Sequence, residues 1–160
     1  MAGESGFAAA APKVEGRVAL GARSLARSRV GRVVEVRVRN LSTLADVEAI
    51  NAQVAMALHR AGPGAIICAD HRFVSPFSGP IADLWARGMR AANKRISWAA
   101  LLLDPLNTMF NLQIERVARC AGNPTRRLVT GLGEMQAWLG GSLSIAEWSA
   151  IETFLAAGDA

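Results

Sequence analysis

Three residue types that serve in nucleophilic catalysis lie close together after the apolar run AIICAD. Asp70 ends the run, His71 follows it, and Ser75 and Ser78 come next, so an orienting carboxylate, a base and a nucleophile are all present. Adjacent side chains on an extended chain point in opposite directions, and no G-x-S-x-G turn surrounds either serine. The spacing therefore predicts no catalytic residues, and we expect the protein not to be an enzyme.

Two aspartates, Asp70 and Asp104, each end an apolar run typical of a buried strand. Both are expected at the carboxyl edge of the sheet, where open α/β folds bind ligands, so they form a candidate ligand edge for an anion, a nucleotide or a lipid. With no third polar partner, hydrogen bonds within the following turns are the favoured interpretation. No metal site or cofactor is expected. Cys68 and Cys120 lack metal-ligand spacing and are typical of reduced thiols in a cytoplasmic protein.

The elements that would position these residues follow from apolar spacing. RVVEVRV (32–38) alternates with period two, and GAIICAD (64–70), ISWAALLLD (96–104) and RRLVTG (126–131) are typical of buried or short strands. Helical spacing fills the intervals, and Thr43 with Asp46 predicts a capping box at the first helix. The alternation predicts an α/β fold with a mostly parallel sheet flanked by helices, in the order ββαβαβα, with an extra C-terminal helix.

The positive charge of the chain is confined to its first quarter. The formal net charge is +5, and residues 1–40 carry eight basic and three acidic side chains, which accounts for all of it. A nucleic-acid-binding arm is one interpretation, but no aromatic residues interleave the arginines for base stacking. Solvated arginines that protect an edge strand are favoured, so nucleic acid is not the expected partner. Residues 1–22 are predicted to form a flexible basic segment, and no membrane insertion is expected.

The stretch FVSPFSGPIADL (73–84) resembles the signature loop of the STAS family, the domain shared by sulfate transporters and anti-sigma-factor antagonists. AALLLD before a helix and the closing TGLGEMQAWL are similar to other parts of that family, so residues 23–139 are predicted to form a STAS-like domain. In such switch proteins a serine of the loop accepts a phosphoryl group. The matching position here is Phe77, which has no hydroxyl, and Pro76 replaces the supporting aspartate. The resemblance therefore implies the fold and the binding surface without the phosphorylation switch.

The resemblance implies that the chain is a non-enzymatic regulatory or scaffolding module. Such a module binds another protein, such as a signalling or polarity regulator. The contact surface is expected on the loop and the helix after it. Its residues are Phe77, Ser78, Ile81, Trp85 and Met89. Phe77 would be the apolar anchor where exposed. The side-chain oxygen of Ser78 is also expected to cap the helix, with Pro80 in its first turn.

Residues 140–160 are predicted to form an additional amphipathic helix. Ser144 and Glu147 match a capping box. The apolar stripe that follows consists of Ile145, Trp148, Ile151 and Leu155. A short helix needs a surface to pack on, and either its own sheet or a second copy could provide one. We expect the second copy, which predicts a homo-oligomer formed through this stripe.

Overall fold

The structure, a computed structural model, describes residues 23–158. The predicted flexible segment, residues 1–22, lies outside the described residues. In chain order the elements are β1 (Leu25–Ser28), β2 (Val33–Arg37), α1 (Leu44–Ala61), β3 (Ala65–Asp70), α2 (Gly79–Ala92), β4 (Ile96–Leu102), α3 (Thr108–Ala121), β5 (Arg126–Val129), α4 (Leu132–Leu139), a short 3-10 turn (Gly140–Ser142) and α5 (Ile145–Gly158).

The five strands form one sheet in the order β1-β2-β3-β4-β5. β1 runs antiparallel to β2, and β2 to β5 are parallel because a helix carries the chain back between each pair. The predicted α/β fold with a mostly parallel sheet is confirmed, and it is compatible with a STAS-like arrangement. The order ββαβαβα is one βα unit shorter than the observed order, although the segments that form β5 and α4 are both predicted elements.

Helices cover both faces of the sheet, which explains the continuous apolar runs of β3 and β4. Ile67 and Ala69 face a core shared with α1, α2 and α3. Their neighbours Ile66 and Cys68 face a second core shared with α4 and α5. Because alternate residues of a strand point to opposite faces, adjacent residues of β3 belong to different cores.

Both capping boxes predicted from the sequence are confirmed. Thr43 Oγ1 accepts from the Asp46 amide at 3.2 Å, and the Asp46 carboxylate accepts from the Thr43 amide at 2.9 Å. At α5, Ser144 Oγ accepts from the Glu147 amide at 3.1 Å, and Glu147 accepts from the Ser144 amide at 2.8 Å. Each pair satisfies two amides that the first helical turn leaves without a partner.

The C-terminal helix α5 packs on the protein's own sheet. Ile151 and Leu155 are buried in the second core together with Phe154, and Trp148 is half-buried against it. Only Ile145, which is 92% exposed, points away from this core. The expectation that this stripe packs on a second copy is therefore wrong for Ile151 and Leu155, because the sheet already covers them. A homo-oligomer remains a prediction without support from this stripe.

No helix within residues 23–158 is long and apolar enough to cross a membrane.

Candidate functional site

The carboxyl edge of the sheet holds a buried ion cluster around Asp70. Arg72 Nε donates to Asp70 Oδ1 at 2.9 Å, and Arg37 Nε lies 3.6 Å from Oδ2. Burial opposes ionisation of Asp70, but the hydrogen bonds and charge of Arg72, aided by the charge of Arg37, lower the pKa of the carboxyl below its usual range. Asp70 is thus a structural anion that two arginines neutralise, which corrects its assignment to a ligand edge.

The same arginines hold the C-terminus of α5 against the sheet. Arg37 Nη2 donates to the Phe154 carbonyl at 2.5 Å, and Arg72 Nη2 donates to the Leu155 carbonyl at 2.9 Å. These carbonyls lie near the C-terminus of the helix, which carries the negative end of the helix dipole. Asp70, Arg37 and Arg72 therefore join β2, β3 and α5 into one unit.

Asp104, the second aspartate of the predicted ligand edge, bonds within its own turn. Its Oδ1 accepts from the Leu106 amide at 2.9 Å, and its carbonyl accepts from the Asn107 amide at 3.1 Å. This is the local role that aspartate commonly has after a strand. The two aspartates therefore do not form a joint ligand site.

The arginines near the N-terminus also have structural partners. Arg27 and Arg29 bond the buried carboxylate of Glu35 at 2.7 and 2.9 Å. Arg32 lies 3.5 Å from Glu147, whose Oε1 also accepts from the Arg32 amide at 2.9 Å. These arginines are therefore ion-paired, although 39%, 44% and 46% of the side chains of Arg27, Arg29 and Arg32 remain exposed to solvent.

The predicted cap residue Ser78 does occupy the N-cap position of α2, but its side chain makes no capping hydrogen bond. A cap side chain normally accepts from the second or third amide of the helix. The second residue of α2 is Pro80, which has no N–H. The position was predicted correctly, whereas the hydrogen bond was not.

The expected anchor Phe77 is a core residue and is only 8% exposed. Its ring centroid lies 5.3 Å from that of Trp85 and 5.9 Å from that of Phe110. The Gln113 side chain accepts from the Phe77 amide at 3.0 Å and donates to its carbonyl at 2.7 Å. Both the ring and the backbone of Phe77 are therefore fixed from inside the protein.

The other residues of the expected contact surface share this burial. Ile81 and Trp85 are buried in the first core, and Met89 is half-buried against it. Ser78 alone is exposed. The structure thus corrects the interpretation of this loop and helix as an exposed apolar binding surface.

A cavity of about 560 Å³ lies between α1, α2 and the sheet, and sequence reasoning missed it. Small residues form part of its floor, because Ala69 of β3 and Ala99 of β4 lie diagonally across the two neighbouring strands. The larger apolar lining includes Val36, Ile50, Val54, Ile67, Leu101 and Met89. Small residues on one face of two adjacent strands were the signal that could have indicated a void.

Gly88 sets how closely α1 and α2 approach beside this cavity. A Cβ at Gly88 would overlap the side chain of Asn51, whose Nδ2 donates to the Leu84 carbonyl at 3.4 Å. Glycine therefore allows a polar bridge between the two helices at this level. Asn51 is also one of the few polar side chains that line the cavity.

His71 stands at the end of the cavity that is nearest the carboxyl edge of the sheet. The imidazole is buried, with its ring centroid 5.2 Å from Trp85 and 6.2 Å from Phe110. Its Nδ1 has no hydrogen-bond partner among the described residues. Burial lowers the pKa of His71 to about 4, and the negative charge of Asp70 opposes this shift only in part. At neutral pH the cavity therefore ends at an uncharged imidazole.

The part of the chain that the structure describes contains no group of three or more His, Cys, Asp or Glu side chains able to hold a metal ion. The Asp70 carboxylate accepts from the amide and the side chain of Arg72, and the Ser75 amide donates to the Asn40 side chain. Compared with known proteins, the chain matches no family model, no curated protein and no solved structure.

Proposed function

We propose that this protein is a non-catalytic binding protein for an elongated apolar small molecule, held in the cavity between α1, α2 and the sheet. The observation that carries the proposal is the cavity itself. Its volume of about 560 Å³ lies within the range of roughly 300–1,000 Å³ that small-molecule sites occupy. Its lining is mainly apolar with a few polar side chains, which is the usual composition of such sites.

The apolar floor of the cavity argues for an occupant, because the cavity is open to solvent and its apolar lining would otherwise face water. Water needs two to four polar partners, and the floor of Ile67, Ala69 and Ala99 offers side chains with none. An apolar molecule would instead gain about 25 cal/mol for each Å² of surface that it buries.

Two neighbouring isoleucines of β3 provide a matched test. Ile67 lines the cavity and is 8% exposed, whereas Ile66 faces the second core and is fully buried. Ile67→Phe should extend into the cavity and leave stability nearly unchanged. Ile66→Phe should overpack and cost about 1–3 kcal/mol in urea unfolding.

The binding arm of this test uses N-phenylnaphthylamine, an uncharged apolar fluorophore. The full chain should bind the probe with saturable fluorescence, and Ile67→Phe should weaken binding by about tenfold, or about 1.4 kcal/mol. Ile66→Phe should retain the affinity. Absence of saturable binding, or equal binding by the folded Ile67→Phe variant, would contradict the proposal.

A second candidate function is association with another protein, as the STAS resemblance implies. The support is a set of apolar side chains on and beside α3: Leu106, Met109 and Leu112 are 87%, 62% and 61% exposed. Met109 and Leu112 are three residues apart and so share a helix face. Exposed apolar groups of this kind fit the apolar face of a protein partner.

This second candidate is tested by placing a photo-reactive residue at Leu112 in living cells. One defined adduct should form, and Leu106→Ser with Met109→Ser should abolish it without lowering the melting temperature. An adduct that survives both substitutions would exclude this surface.

A further inference from the structure

The end of the cavity opposite His71 is lined by basic residues. Arg60 of α1 and Arg95, just before β4, are exposed at the opening, and Arg126 of β5 is half-buried. No Asp or Glu belongs to the cavity lining that the described residues form. An apolar space with a basic opening is matched to a molecule that has an apolar chain and an anionic end.

The bonds of these arginines leave donors available. Arg126 Nη2 donates to Asn93 Oδ1 at 2.9 Å and to the Met89 carbonyl at 3.3 Å, whereas Nη1 has no partner within residues 23–158. Neither Arg60 nor Arg95 forms a side-chain ion pair in that part of the chain. This differs from Arg37 and Arg72 at the other edge, which both pair with the buried carboxylate of Asp70.

Helix dipoles do not cancel this charge. α1 and α2 both end beside the opening, at Ala61 and Ala92. Each C-terminus carries about −0.5 of an elementary charge, so the two ends contribute about −1. The three arginines contribute about +3, and the opening is left with about +2. Capping of the helix ends therefore accounts for only part of the basic charge.

The distance between the two ends fixes the scale of the ligand. Arg126, Ala99 and Ile67 lie in one row across β5, β4 and β3. His71 is four residues farther along the chain from Ile67, which corresponds to about 13 Å at roughly 3.3 Å per residue. An extended decanoate chain has a similar length.

We infer that the occupant of the cavity is a straight-chain carboxylate, with its head group at Arg95 and Arg126 and its chain running along the sheet toward His71. This inference rests on the proposed function, because it specifies the ligand of the same cavity. The planar guanidinium of Arg126 or Arg95 suits a carboxylate, which can accept two parallel N–H bonds. The head group is that of a free acid, since the volume leaves no space for a phospholipid with two chains.

Isothermal titration of the full chain with three ligands of one chain length tests the inference. Decanoate should bind at least about tenfold more tightly than decanol, because only the anion gains charged hydrogen bonds. Decylamine should bind more weakly than decanol, because its cation meets three arginines. If decanoate and decanol bind equally, the carboxylate inference fails and the cavity proposal stands. If none of the three binds, both fail.

Substitution of the arginines locates the head group. Arg95→Met should weaken decanoate binding by about tenfold and change decanol binding by less than about threefold. Arg126→Met serves as a second variant, with its fold checked by circular dichroism. Arg87→Met is the matched control, since Arg87 is an exposed arginine of α2 outside the cavity lining. Equal loss of affinity in Arg87→Met would assign the effect to the general charge of the protein and overturn the placement.

Discussion

Acidification should destabilise this protein through His71 before its carboxylates protonate. The pKa of the buried imidazole falls to about 4 from an ordinary value of 6.5. Between these two pKa values the unfolded chain binds a proton at His71 that the folded protein does not bind. The free energy of unfolding therefore rises with pH across this window and is constant above it. The shift is about 2.5 pKa units, which corresponds to about 3 kcal/mol at about 1.36 kcal/mol per unit.

Urea unfolding at about pH 7.5 and about pH 4.5 measures this effect. At the lower pH His71 should lower the free energy of unfolding by about 2.5 kcal/mol. This is less than the full effect, because the titration of the folded state is not yet complete. The matched variant is His71→Phe, which keeps an aromatic ring beside Trp85 and Phe110 and cannot titrate.

Carboxylates contribute to the pH dependence of both proteins and cancel in the comparison. The pKa of Glu147 is lowered, because amide hydrogen bonds from Arg32 and Ser144 outweigh its burial. The pKa of Asp70 is also lowered. Stability from these two groups is present above their unfolded values and is lost as the pH falls through their folded values. If the wild type and His71→Phe lose equal stability on acidification, His71 titrates in contact with water and its burial is wrong.

Four further substitutions have outcomes that the structure decides, each checked by urea unfolding. Thr43→Ala should lower stability by about 1 kcal/mol, because it removes a capping hydrogen bond. Ser78→Ala should change stability by less than about 0.5 kcal/mol, because that side chain makes no capping bond. Equal losses would contradict this difference between the two caps. Gly158→Ala should destabilise, although alanine is the better helix former, because the new Cβ would lie 2.6 Å from Asp70 Oδ2; a more stable variant would contradict the packing of α5. Gln113→Ala should cost about 1–3 kcal/mol because two backbone groups of the 73–78 loop lose their partner; a neutral result would show that water replaces both bonds.

Features that depend on neighbouring residues were predictable from the sequence. The period-two pattern of β2 and the apolar runs of β3 and β4 identified the central strands, because strand burial is visible in consecutive side chains. The Thr43 and Ser144 caps were predictable for the same reason, since each partner lies three residues away.

Features that depend on distant residues were not predictable. Arg32 and Glu147 are 115 residues apart, and no local pattern indicates that they meet. Phe77 follows a proline in a loop, where local sequence suggests exposure, yet Trp85 and Phe110 enclose it. For the same reason the sequence could not show whether the protein's own sheet or a second copy covers Ile151.

The candidate site was the least predictable part of the molecule. The site is an open space whose floor includes Ala69 and Ala99. Such a space is a property of three-dimensional packing rather than of any motif. Carboxylates are the residues of the sequence that most suggest chemistry, but Arg37 and Arg72 neutralise Asp70. The sequence supplied the basic residues at the opening, but only the sheet register places Arg126 in the same row as Ala99.

The central claim, that an apolar ligand occupies the cavity between α1, α2 and the sheet, is tested most directly by solution NMR of the full chain with decanoate. Intermolecular NOEs should join the decanoate chain to the methyl groups of Ile50, Ile67 and Leu101, which line the cavity. The methyl groups of Ile66 and Ile151, in the second core on the opposite face, should show none. NOEs confined to the second core, or no intermolecular NOE at saturating decanoate, would contradict the account.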